Sequence, residues 1–172
     1  RFRVLDEFGD YCQVLSLAAP PPEVLAGPNA SPGLVKVGND SMAELCRKHP
    51  DRFPAFTAYL PMNNAEAAMT ELHRVIKDLG AKGIQIFSNV NGRPLDDPEF
   101  APVFDAMAEY DLPIWLHPAR GADFPDYKTE TKSKYEIWWA FGWAYETSAA
   151  MARLVFAGIF DNGVAHNVGP PG

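Results

Sequence analysis

The feature that most constrains this chain is an alternation of short apolar runs with amphipathic helical stretches, repeated from one end to the other. Tyr11–Leu17 reads as a first buried strand, and Phe53–Leu60, Lys82–Phe87 and Leu112–His117 as three more. Between them the apolar residues return every three or four positions. Ala65, Ala68, Met69, Leu72, Val75, Ile76 and Leu79 form one such stripe, with Asn63 or Asn64 as its cap and Gly80 as its stop. Phe100, Val103, Phe104, Met107 and Ala108 form another, opened by Asp97 as cap and Pro98 at the first helical position. A strand-helix-strand order of this kind builds a parallel sheet covered by helices.

The remaining elements are drawn from punctuation. Ala18–Gly33, beginning Pro20-Pro21-Pro22, is expected to be a loop, with a helix starting near Asn39 or Asp40 and ending before Pro50. Pro118 to about Trp143 is expected to be a long loop. A last helix is expected from about Tyr145 to Phe160, and Val164-Ala165-His166 as the stub of a fifth strand. Such βα units suit a closed TIM barrel or an open doubly wound sheet. No Gly-x-Gly-x-x-Gly follows the first strand, which weighs against the dinucleotide-binding form of the latter. A closed barrel takes about 250 residues, so these 172 residues cannot supply a full eight-stranded one: either the chain is a fragment or segments are left out of it.

Composition narrows the partners. A net charge of −7 provides no basic field for nucleic acid or anionic membranes, but does not exclude an anionic small molecule. Only Cys12 and Cys46 are present, neither in a Cys-x-x-Cys pair, which points to a reduced, cytoplasmic setting without a disulfide framework. No apolar stretch approaches the length of a membrane span.

Chemistry is expected at the carboxyl ends of the strands, where barrels and open sheets carry their sites. His117 closes the fourth strand. It is either a half-buried histidine bonded to its loop or a metal ligand. His166 ends a similar apolar run and is a candidate second ligand or acid/base residue. The segment beyond His117 is rich in aromatic residues, with Tyr135, Trp138, Trp139, Phe141, Trp143 and Tyr145. These either pack a core or wall a pocket for a flat substrate. Arg120 suits a substrate carboxylate or a surface ion pair. Asn89 and Asn91 either reach the rim or form a turn. His49 and His73 read as structural or solvated, and Asp96 and Asp97 as a turn and a cap.

Asn91-Gly92-Arg93-Pro94-Leu95-Asp96-Asp97-Pro98-Glu99-Phe100 and Leu112-Pro113-Ile114-Trp115-Leu116-His117-Pro118 closely resemble the amidohydrolase-2 group. That group includes the aminocarboxymuconate semialdehyde and γ-resorcylate decarboxylases. His49–Phe53, and Lys134–Thr147 leading into Phe156–Phe160, resemble it as well. The resemblance implies a TIM barrel, here one domain over residues 1–172 that is incomplete at both ends, with a divalent metal, zinc or manganese, and a homodimer. It implies that His117 is the ligand closing barrel strand five. His166 would be the acid/base residue of strand six, and Trp139 matches a tryptophan of the substrate loop, while Trp138, Arg120 and Asn89 are candidates for the same pocket by their positions alone. The implied reaction is nonoxidative decarboxylation of an aromatic or unsaturated carboxylic acid, with metal-dependent hydrolysis or hydration as the alternative. The group's His-x-His and its late Asp are absent here, and Asp161–His166 is shorter than the group's usual approach to strand six.

Overall fold

A computed structural model describes residues 2–17, 19–161 and 168–169, the last two as backbone only. After the short helix α1 (Phe2–Leu5), chain order gives β1 (Val14–Leu15), α2 (Pro22–Leu25), α3 (Ser31–Lys48), β2 (Ala55–Phe56) and β3 (Ala58–Tyr59). Next come α4 (Ala65–Lys77), β4 (Ile84–Phe87), β5 (Asn89–Val90), β6 (Arg93–Pro94), α5 (Ala101–Glu109) and β7 (Ile114–His117). The series ends with α6 (Ile137–Ala140), α7 (Gly142–Phe156) and β8 (Val168–Gly169).

β2 and β3 are two halves of one expected strand. The first half pairs with β1, and the second pairs with β4 on the other edge. β4 pairs with β7, and β7 with β8, all in parallel. Strand order therefore follows chain order without reversal, as in a barrel wall. A doubly wound sheet would reverse at a switch point.

Alternation sorts each strand into two faces. Ile84, Ile86, Ile114 and Leu116 turn outward into a buried core with Leu72 of α4, Phe104 and Met107 of α5, and Ala150 and Leu154 of α7. Gln85, Phe87, Trp115 and His117 turn to the opposite, inner face. Register places Tyr59 beside Gln85, Gln85 beside Trp115, and Phe87 beside His117. These residues stack in the layers that fill a barrel.

The helix signals hold for α4 and α5. The Asn64 side chain accepts the Ala67 N–H at 3.1 Å, and Gly80 takes φ +72°. Asp97 caps the 3-10 turn Pro98–Phe100 that leads into α5, accepting the Glu99 N–H at 3.1 Å. Asp96 instead takes a two-point ion pair from Arg153, each bond 2.8 Å, which holds its carboxyl below the usual range.

Two expectations are corrected. α3 begins at Ser31, not near Asn39, and α2 lies within the expected loop. Pro22 and Pro32 sit in first turns, where the missing N–H costs nothing. Gly38 lies inside α3 because a Cβ there would stand 2.6 Å from Leu17. Asn39 is therefore not a cap. It is fully buried, and its amide bonds both the N–H and the C=O of Tyr59 at 2.9 Å and Glu71 at 2.8 Å. The last helix likewise starts earlier than expected, at Gly142, after the turn of α6, and ends at Phe156. The expected fifth-strand stub Val164-Ala165-His166 lies outside the described residues.

Gly83 joins the strands tightly. It has φ +155°, and a Cβ would stand 2.6 Å from the Pro113 carbonyl oxygen, which also accepts the Ile84 N–H at 3.1 Å. Gly83→Ala is expected to cost about 1–3 kcal/mol through overpacking at the start of β4. Urea unfolding measures it, and an unchanged midpoint would contradict this reading of the contact.

Candidate active site

His117 stands at the carboxyl end of β7, half-buried on the inner face. Its Nδ1 lies 2.8 Å from the carbonyl oxygen of Pro118. A carbonyl only accepts, so Nδ1 carries the proton and donates. In the neutral ring Nε2 is then left with its lone pair. This is the tautomer of a metal-binding imidazole, and the carbonyl plays the orienting part that such ligands require. His117 therefore fits a metal as one donor. Among the described residues, no group of three or more His, Cys, Asp or Glu side chains gathers to complete a site. His166 lies outside the described residues.

A continuous line of rings runs through His117. Tyr59 meets Phe87 edge-on at 5.6 Å, Phe87 meets His117 at 5.1 Å, and His117 meets Trp143 edge-on at 5.5 Å. Trp143 in turn touches Trp138 at 6.0 Å and Trp139 at 5.7 Å. The two expected wall residues thus reach His117 through Trp143, which the sequence reading had placed at the end of a loop. Trp138 is half-buried, while Trp139 is exposed.

Arg120 is held from both ends by the first turn of α7. Its carbonyl accepts the Trp143 indole N–H at 2.9 Å. Its side chain lies against Gly142, where a Cβ would stand 2.6 Å from Cδ. The guanidinium sits over the Phe124 ring at 5.2 Å, and its Nε–H is buried without a partner. A cleft of about 330 Å³ opens beside it, between Asp126, Ile137, Phe141 and Tyr145. A guanidinium at the edge of a mainly apolar cleft suits an anionic group on a flat molecule.

Asn89 is committed to the protein. Its Oδ1 accepts the Gly92 N–H at 2.8 Å, and its Nδ2 donates to Glu146 at 2.8 Å. The turn it closes has Asn91 at φ +51° and Gly92 at φ +82°, the two left-handed residues of a tight hairpin between β5 and β6. A second cleft, about 220 Å³, lies between Ser88, Asn89, Leu95, Phe124 and Glu146. Glu146 is the residue that sequence reasoning missed as a participant. Its partners are 57 and 58 positions away, and no local spacing signals them.

The other histidines lie elsewhere. His49 closes α3 and meets the Phe2 ring at 4.6 Å, and His73 bonds the Tyr110 hydroxyl at 2.7 Å. Cys12 and Cys46 are both free thiols. Among the described residues no helix is long and apolar enough to cross a membrane.

Comparison with known proteins gives the site a context. The amidohydrolase family profile matches residues 14–162. The 2-amino-3-carboxymuconate-6-semialdehyde decarboxylase of Dictyostelium discoideum is 33% identical over 135 residues, which is 78% of this chain and 36% of that protein. The gamma-resorcylate decarboxylase of Rhizobium sp. is 32% identical over 167 residues, which is 94% of this chain and 50% of that protein. The crystal structure of 5-carboxyvanillate decarboxylase from Novosphingobium aromaticivorans was solved with manganese and 4-hydroxy-3-methoxy-5-nitrobenzoic acid. It matches with a TM-score of 0.83 at 30% identity, covering 99% of this chain and 48% of that one. The chain thus spans half or less of the length of these proteins. With the profile match running from β1 through the end of α7, and a parallel wall whose order follows the chain, this chain belongs to the amidohydrolase family and carries part of its TIM barrel.

Proposed function

We propose that the protein is a metal-dependent, nonoxidative decarboxylase of an aromatic carboxylic acid. The observation that carries this reading is His117, whose Nε2 is left unprotonated at a strand end beside the Trp143 ring. Similarity to three decarboxylases, one crystallised with manganese, supports it.

In this reading His117 is one ligand of a manganese or zinc ion. The ion, when bound, supplies Lewis-acid polarisation of the substrate's carboxylate and neighbouring oxygen. Arg120, at the edge of the cleft, offers its guanidinium to an anionic oxygen of the substrate. Trp138, Trp139 and Trp143 hold the ring and exclude water, and Asn89 walls the neighbouring cleft. As the bond from ring carbon to carboxyl breaks, its electron pair stays on the ring carbon and CO₂ leaves. A protein acid must then protonate that carbon, and His166 is assigned this role from the family resemblance. A homodimer and a cytoplasmic location complete the reading. Light scattering on the intact protein is expected to return twice the monomer mass.

The test is a substrate panel. Purified intact protein loaded with Mn²⁺ is expected to release CO₂ from 2,6-dihydroxybenzoate or 5-carboxyvanillate, and to leave lactones and amides intact. Ring opening of a lactone without CO₂ release from any benzoate would overturn the assignment in favour of hydrolysis.

A further inference from the structure

The segment His117–Ala119 is fixed from outside its own strand. The backbone N–H of Ser88, the residue after β4, donates to the His117 carbonyl at 2.8 Å. The Ala119 N–H donates to Ser88 Oγ, also at 2.8 Å. Ser88 thus grips the chain on both sides of Pro118, whose carbonyl orients the imidazole.

The directions of these bonds are forced. An amide N–H only donates, so Ser88 Oγ must accept from Ala119. The single hydroxyl proton is then free for an acceptor, and it goes to Glu146 Oε1 on α7. The same oxygen accepts from Asn89 Nδ2 at 2.8 Å. A carboxylate that only accepts therefore holds Ser88 in the one rotamer that can receive Ala119. Ser88 is buried and Glu146 half-buried, so water competes poorly for these bonds.

We propose that Glu146 and Ser88 form a positioning clamp that sets the direction of His117 Nε2. α7 serves as the template. Gly142 and Trp143 hold Arg120, Glu146 one turn later holds Ser88, and Ala150 and Leu154 seat the same helix in the core. The clamp acts through the Pro118 carbonyl, so neither residue needs to touch substrate or metal. The inference rests on the reading of His117 as a metal ligand.

The experiment measures Mn²⁺ affinity of the intact protein by competition with a chelator, alongside the melting temperature and kcat and KM on 2,6-dihydroxybenzoate. Ser88→Ala and Glu146→Ala are each expected to weaken Mn²⁺ binding about 10–100-fold, the usual effect of losing a group behind a ligand. Ser88→Thr keeps the hydroxyl and is expected to restore affinity to within a few-fold of wild type. His117→Ala separates the two claims. If it loses Mn²⁺ while Ser88→Ala and Glu146→Ala bind as wild type, the clamp is wrong and the ligand reading stands. If it binds Mn²⁺ normally, the ligand reading fails and the clamp fails with it. An equal loss of affinity in Ser88→Thr and Ser88→Ala, with folding intact, would also overturn the clamp, because the hydroxyl would then not be what matters. Where Glu146→Ala does not fold, Glu146→Gln in the same assay decides. It keeps one acceptor oxygen and is expected to fall between Glu146→Ala and wild type.

Discussion

His117→Ala in the intact protein is expected to abolish decarboxylation and to weaken Mn²⁺ binding by more than about a hundredfold, beyond what outer groups alone produce. The magnitude follows from geometry. Nδ1 is occupied by the Pro118 carbonyl at 2.8 Å, so the ring has one face of chemistry left, and Nε2 provides it. Removing the ring deletes that donor and also the tilted contact to Phe87 and the edge-on contact to Trp143. Far-ultraviolet circular dichroism and elemental analysis on the same sample separate loss of a ligand from loss of the fold. A folded variant with full manganese occupancy and normal turnover would exclude His117 from the metal site.

The second large effect concerns Glu23, on the short helix α2 beyond the end of β1. It is 5% exposed, and neither carboxylate oxygen has a hydrogen-bond partner on another residue. Burial pushes its pKa from the ordinary 4.5 up to about 7, against a smaller lowering by its own backbone N–H. Burial first, and the nearby Glu23 charge second, also push the Tyr59 phenol upward. Between pH 4.5 and about 7 the folded chain binds a proton that the unfolded chain has released. Stability from this group is therefore greatest at the acid end and falls as pH rises through that window. At about 1.4 kcal/mol per pH unit, the full loss by pH 8 is about 3 kcal/mol.

Glu23→Gln removes the ionisation and is expected to flatten that decline, leaving the variant more stable than wild type at pH 8 by an amount of that order. Urea unfolding at pH 5, 6, 7 and 8 reads it directly. Parallel pH profiles for the two proteins would show that Glu23 titrates in the folded chain as it does in water.

The same residue illustrates what a sequence withholds. Glu23 follows three prolines and looks like part of a solvated loop. Only packing of α2 against α3 and the inner face makes it an isolated buried acid. Asn39 has the residue type of a helix cap, and a cap and a buried network node look alike along the chain. The tertiary bonds to Tyr59 and Glu71 distinguish them. Thr57 divides one expected strand into two pieces because each half pairs with a different neighbour. No periodicity encodes that change of partner.

Local order is legible along the chain. Periods of two and of three to four residues, a cap at Asn63 or Asn64 and another at Asp97, and Gly80 as a stop act within a few residues. Short-range sterics and hydrogen bonds settle them. The strand-end position of His117 was legible for the same reason. Folding in three dimensions alone sets Trp143 between His117 and the pair Trp138 and Trp139. It alone joined Glu146 to Ser88 across 58 positions of chain. Those outcomes depend on where α7 comes to rest against β4 and β7. That placement follows from burying Ala150 and Leu154 against the outward faces of the strands, a contact between distant segments that exists only once the wall has formed.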